Sequence, residues 1–195
     1  MADTGLSVSR VFFTLLFHFY TFIMELQLIH VDEELIIEPS PASSSNDFDF
    51  FVGHWNIYNR KLKSRLNGCN EWVEFEAYQE MRTLLNGIGN TDNFKTTIDG
   101  KPFEGMTLRL FNPATRLWSI YWVDSNKGVL DPPVVGSFEN NIGTFYGKDT
   151  FNGKKILVKF NWDKTDPGKP IWSQAFSEDN GQTWEWNWYM YMVKA

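Results

Sequence analysis

Three groups of residues in this chain have the types and spacing to handle a small molecule. Arg109, in the run Thr107-Leu108-Arg109-Leu110-Phe111, alternates with two leucines, so an extended segment puts it on the opposite face from them. A guanidinium among aromatic side chains on an inner face would bind a carboxylate, phenolate or enolate group. Glu74 and Glu76 lie in a row of carboxylates with Glu71 and Glu80, and share a face with Trp72, Tyr78 and Arg82. Facing an enclosed space, such a row could supply a general acid and base; a solvated outer face explains it equally well. Gln174, between Trp172 and Phe176, and Asn187, between Glu185 and Tyr189, are neutral hydrogen-bonding groups of the kind that orient a ligand. Tyr121 and Tyr189 are further candidate polar contacts, with Trp122 and Trp172 as stacking walls.

These residues sit in short alternating runs. From Asp47 onward, turn signals recur at regular intervals, among them Asn67-Gly68, Asn86-Gly87, Asp99-Gly100, Asn152-Gly153, Asp166-Pro167-Gly168 and Asn180-Gly181. Between turns, runs such as Trp72 to Arg82, Met106 to Phe111, Leu117 to Val123, Ile156 to Trp162, Ile171 to Phe176 and Trp184 to Val193 have a period of two. This is the pattern of an antiparallel meander of about ten strands. The only stretch after Asp47 with a hint of helix is a single turn over Gln79 to Leu85. In the last strand, Trp184, Trp186, Trp188, Met190 and Met192 are expected on one face, and Glu185, Asn187, Tyr189, Tyr191 and Val193 on the other. The fold expected is all-β: one up-and-down barrel that encloses a cavity.

Composition narrows the function. At 195 residues, 43% hydrophobic and 22% charged, the chain reads as one globular domain with a sizeable core. A net charge of -6 argues against nucleic acid and anionic lipid as partners. Cys69 is the one cysteine, which excludes an intrachain disulfide and a thiolate metal cluster and fits a reducing compartment. Of three histidines, His18 and His30 precede Asp47, leaving His54 alone in the domain and no three-histidine metal site within it. No metal or other cofactor is expected.

The first 45 residues read differently. Residues 11 to 23 form an apolar run behind Arg10, too short for a comfortable membrane span. No small-residue cleavage site follows at Met24-Glu25-Leu26-Gln27, so a cytoplasmic protein is expected, with export or membrane tethering through 11 to 23 as the alternative. Residues 38 to 46, Glu-Pro-Ser-Pro-Ala-Ser-Ser-Ser-Asn, read as a flexible linker. The division expected is an extension and linker over 1–45 and a barrel over 46–195.

Ser177-x-Asp179-x-Gly181-x-Thr183-Trp184 matches the Asp-box string. A single copy reads as a hairpin staple: the Ser and Asp side chains bond turn amides, and glycine permits positive φ.

The segment Asp47-Phe48-Asp49-Phe50-Phe51-Val52-Gly53-His54-Trp55 resembles the opening of the calycin-like barrel families, lipocalins among them, with their Gly-x-Trp first strand. From Asp47 to the end the chain is similar to the domain family called DUF1579. The likeness is carried by Leu108 to Arg116, Trp118-Ser119-Ile120-Tyr121-Trp122, Asp131-Pro132-Pro133-Val134-Val135-Gly136, Phe145-Tyr146-Gly147 and the Asp-box hairpin. That resemblance implies a calycin-like barrel and no settled activity. Haem-binding barrels of the nitrobindin type place a ligating histidine late in the chain, where this sequence has none.

The expectation is a barrel that binds a small, largely apolar or aromatic molecule in its lumen. A cofactor-independent isomerase, cyclase or decarboxylase is the alternative, with Arg109 polarising a carbonyl and Glu74 or Glu76 moving a proton. A third possibility is a structural protein whose barrel is filled. A carboxylate pointing inward beside Arg109 raises the enzyme reading; without one the binder reading stands.

Overall fold

The computed structural model describes residues 34–195. The apolar run at 11 to 23 lies outside them. Ten strands follow in chain order: β1 (Gly53–Leu62), β2 (Trp72–Leu84), β3 (Gly89–Ile98), β4 (Lys101–Asn112), β5 (Leu117–Asp124), β6 (Val134–Glu139), β7 (Ile142–Phe151), β8 (Lys154–Asp163), β9 (Ile171–Ser177) and β10 (Glu185–Lys194). Each pairs antiparallel with the next, and β10 pairs back onto β1 to close the barrel. Closure leaves no free sheet edge.

Turn chemistry explains several of the tight connections. Asp99-Gly100 and Asn152-Gly153 both hold positive φ at two successive residues, the geometry that matches the twist of a two-residue hairpin. Gln79 to Leu85 is not a helical turn; β2 continues to Leu84, and a short 3-10 turn occupies Leu85–Gly87.

One end of the barrel is plugged. The chain enters through a 3-10 turn, Asp49–Phe51, that pushes Phe48 and Phe51 into the lumen. The Phe48 ring meets Trp118, Phe138 and Trp162 edge-on at 5.0, 5.1 and 5.6 Å. Trp55 donates its indole N–H to the Phe51 carbonyl at 2.7 Å, which satisfies the one polar atom of a fully buried ring. Each such ring stabilises the fold by about 2 to 3 kcal/mol through area removed from water.

Part of the Ser/Pro-rich stretch at 38 to 46 is bonded to the plug and the wall beside it. Asp47 is buried and accepts hydrogen bonds from the Ser43 hydroxyl at 2.7 Å, the Ser44 amide at 3.0 Å and the Trp118 indole at 3.2 Å. Arg116 donates to the carbonyls of Pro41 and Ser43. Within this string Ser43 and Ser44 cap the closed end by bonding a buried carboxylate.

Candidate functional site

Above the plug the barrel encloses a cavity of about 460 Å³. Its walls follow from strand alternation. On β4 the buried residues are Gly105, Thr107, Arg109 and Phe111, while Glu104 and Met106 are exposed. Gly105 has a specific role: a β-carbon there would collide with the Trp122 ring, so glycine lets the indole lie against the wall and leaves the lumen open. Trp122 meets Phe94 edge-on at 6.1 Å, and across the lumen Trp172 meets Phe160 at 4.9 Å and Trp188 at 5.6 Å.

The floor is charged. Arg109 Nη1 lies 2.5 Å from Asp92 Oδ2, with both side chains almost wholly buried. The same nitrogen donates to Asn90 Oδ1 at 3.1 Å, and the guanidinium stands over Phe48, Phe51 and Trp162 at 5.0 to 5.7 Å. Aromatic faces and a carboxylate together offset a cation that burial alone would penalise. Arg109 Nε and both Asp92 oxygens have no aligned hydrogen-bond partner, so the pair is held by charge more than by directed bonds. Gln79 and Thr107 also line the cavity.

Arg109, Trp122, Trp172 and Gln174 all line the lumen. Tyr121 does not: it neighbours Trp122 in one strand, faces outward and pairs with the outward Leu108. Two consecutive strand residues cannot share a face. Glu74 and Glu76 are exposed on the outer face of β2, whose inward residues are Phe75, Ala77, Gln79 and Met81. They therefore cannot serve Arg109, and the inward carboxylate is Asp92.

The last strand departs most from the expected alternation. A bulge at Asn187 sets Trp186 opposite Ala175 and Trp188 opposite Gln174. One extra residue inverts the faces. Trp184 and Trp186 therefore turn outward, where Lys159 stands over them and over Tyr146, and Tyr189 stacks on Trp186 outside the barrel. Trp188, Met190 and Met192 line the cavity. Asn187 itself is fully buried and accepts from Gln174 Nε2 at 2.8 Å, so it orients Gln174 from within the wall. His54 is exposed and its Nδ1 bonds the Tyr78 hydroxyl on the outer face.

The mouth lies at the opposite end from the plug, ringed by Arg65, Asp124, Lys127, Asp131 and Asp149. Arg65 lies over the Phe151 and Phe176 rings, and burial holds its pKa below the ordinary arginine value against the opposing pull of Glu185. Lys61, on the inner face of β1, stands 3.9 Å over Trp188. Sequence reading did not single out Asp92, Lys61 or Trp188.

No protein-family model matches the chain, and no curated protein matches it in sequence. Among solved structures the barrel is similar to an S-type phycobiliprotein lyase, CPES, from Guillardia theta. The identity is 9% and the TM-score 0.54, over 80% of this chain and 94% of that one. The two chains share a barrel fold. At that identity the likeness speaks for the fold alone.

Proposed function

We propose that this protein binds a small, largely apolar or aromatic molecule in the lumen of its barrel. The observation that carries the reading is the cavity itself: about 460 Å³, walled by Phe94, Trp122, Trp172 and Trp188, with the Arg109–Asp92 pair at its floor. Aromatic walls with a few convergent polar groups are the usual make-up of a ligand site. Flat apolar surface stacks on the indoles, while Gln174, Gln79, Thr107 and Arg109 offer directional contacts. The structural neighbour's designation as a phycobiliprotein lyase is compatible with a flat, pigment-like ligand. The resemblance to DUF1579 domains belongs to the same reading and adds no activity to it.

The Asp92 carboxylate favours a second reading, a cofactor-independent enzyme. Arg109 would polarise a carbonyl and Asp92, in place of Glu74 or Glu76, would move the proton.

Native mass spectrometry of the protein purified from its own host tests the binding role. A co-purifying small molecule, released on denaturation, is the expected result. A bare chain whose tryptophan emission responds to no aromatic compound would overturn it.

A further inference from the structure

At the mouth of the cavity sits a lysine that neither reading uses. Lys61 continues the inward series Trp55, Ile57 and Asn59 along β1. It pairs with Trp188 across the barrel seam, and its ammonium stands 3.9 Å over that indole. The indole is itself fixed, because its Nε1 donates to the buried Asn59 Oδ1 at 3.0 Å. Among the described residues no carboxylate lies within ion-pair distance of Lys61. The charged groups facing it are Arg65, from the loop after β1, and Asp124, at the end of β5; β2 contributes the uncharged Val73 opposite it, and β10 contributes Trp188. Arg65, Asp124 and Trp188 all line the cavity; Lys61 does not line it directly, and its ammonium lies against the Trp188 indole that does.

We propose that Lys61 condenses with an aldehyde or ketone carbonyl of the ligand to form an imine at the mouth of the cavity. The amine nitrogen adds to the carbonyl carbon, a C=N bond replaces C=O, and the carbonyl oxygen leaves as water with the two amine protons. No oxidant, reductant or co-reactant is consumed. The step needs a neutral amine. Burial lowers the Lys61 pKa to about 8, assisted by the nearby positive charge of Arg65 and opposed by Asp124. Near neutral pH this leaves more free amine than an ordinary lysine has, while the Trp188 face beneath the nitrogen favours the charged form. The aromatic walls then hold the body of a carbonyl compound while its reactive end meets the nitrogen.

This inference rests on the cavity being a binding site, and its test separates the two. The full chain is incubated with benzaldehyde and sodium cyanoborohydride, which traps an imine as a stable amine, and the label is located by peptide mass mapping. Benzyl alcohol, which cannot condense, reports reversible binding in parallel through quenching of tryptophan emission. The expected result, at neutral pH, is labelling at Lys61 ahead of every other lysine by about tenfold or more. Lys61→Arg and Lys61→Met should lose the label and keep the benzyl alcohol response. Labelling spread evenly over the lysines overturns the inference even if both variants fail to fold. If benzyl alcohol binds while Lys61 stays unlabelled, the imine is wrong and the binding role stands. If neither compound is taken up, both are wrong.

Discussion

Arg109 and Asp92 meet at 2.5 Å on the floor of the lumen, one from β4 and one from β3, each almost fully buried. Their strands are adjacent, with Asp92 opposite Thr107 and Arg109 opposite Asn90, so the contact runs diagonally across the sheet. Removing one partner strands the other as an uncompensated charge.

Arg109→Met and Asp92→Asn should therefore each destabilise the barrel by about 3 to 5 kcal/mol in denaturant unfolding. The double variant should recover most of the loss, since neither charge then remains. Additive losses in the double variant would show that the two side chains do not act as a pair.

The cap over the plug makes a second prediction. Deleting residues 1–39 leaves the Ser43, Ser44 and Asp47 network whole, whereas deleting 1–45 strips the Asp47 carboxylate of three hydrogen bonds and Arg116 of two acceptors. The longer deletion should melt lower than the shorter one, by about 1 to 3 kcal/mol. Equal melting of the two would mean the serines contribute nothing.

The hairpin between β9 and β10 is pH-sensitive in a defined direction. Asp179 accepts from the Thr183 hydroxyl at 2.5 Å, the Thr183 amide at 2.9 Å and the Ser177 hydroxyl at 2.7 Å, which hold its pKa at about 2 against an ordinary 3.8. A carboxylate with a depressed folded pKa stabilises the protein above its unfolded pKa, and that contribution is lost as pH falls from about 4 to about 2. Asp179→Asn should flatten the decline in melting temperature across that window. An unchanged decline would show that the hairpin does not contribute to acid stability.

Period and turn chemistry made the barrel legible from residues alone: the Asn-Gly and Asp-Gly turns and the alternating aromatic runs specify closure of a meander. The candidate site was legible in part, for reasons visible in particular residues. Asp92 sits in Gly89-Asn90-Thr91-Asp92-Asn93, where every residue but Thr91 is a poor strand former and no apolar alternation marks a strand, yet it lies within β3, where Asn90 and Asp92 meet Arg109. Trp188 and Tyr189 exchanged faces because a bulge carries no period of its own. Ser43 reads as part of a linker because its buried partner, Asp47, bonds it only once the plug is folded. Tyr121 and Trp122 could not both be luminal, and alternation settles that pair in favour of the tryptophan.

The central claim, that the lumen takes up a flat apolar ligand, is tested most directly by fluorescence titration of the parent and a lumen-filling variant with anilinonaphthalene sulfonate. Thr107 faces inward on β4, two residues from Arg109 and opposite Asp92 on β3, so Thr107→Met narrows the cavity while keeping both members of the ion pair, and Tyr189→Ala removes an aromatic ring of similar appeal from the outer wall. The account predicts one saturable site per chain, weakened about tenfold or more by Thr107→Met and unaffected by Tyr189→Ala. Binding that survives the filled lumen and falls with Tyr189→Ala would place the ligand on the outer wall and contradict the account.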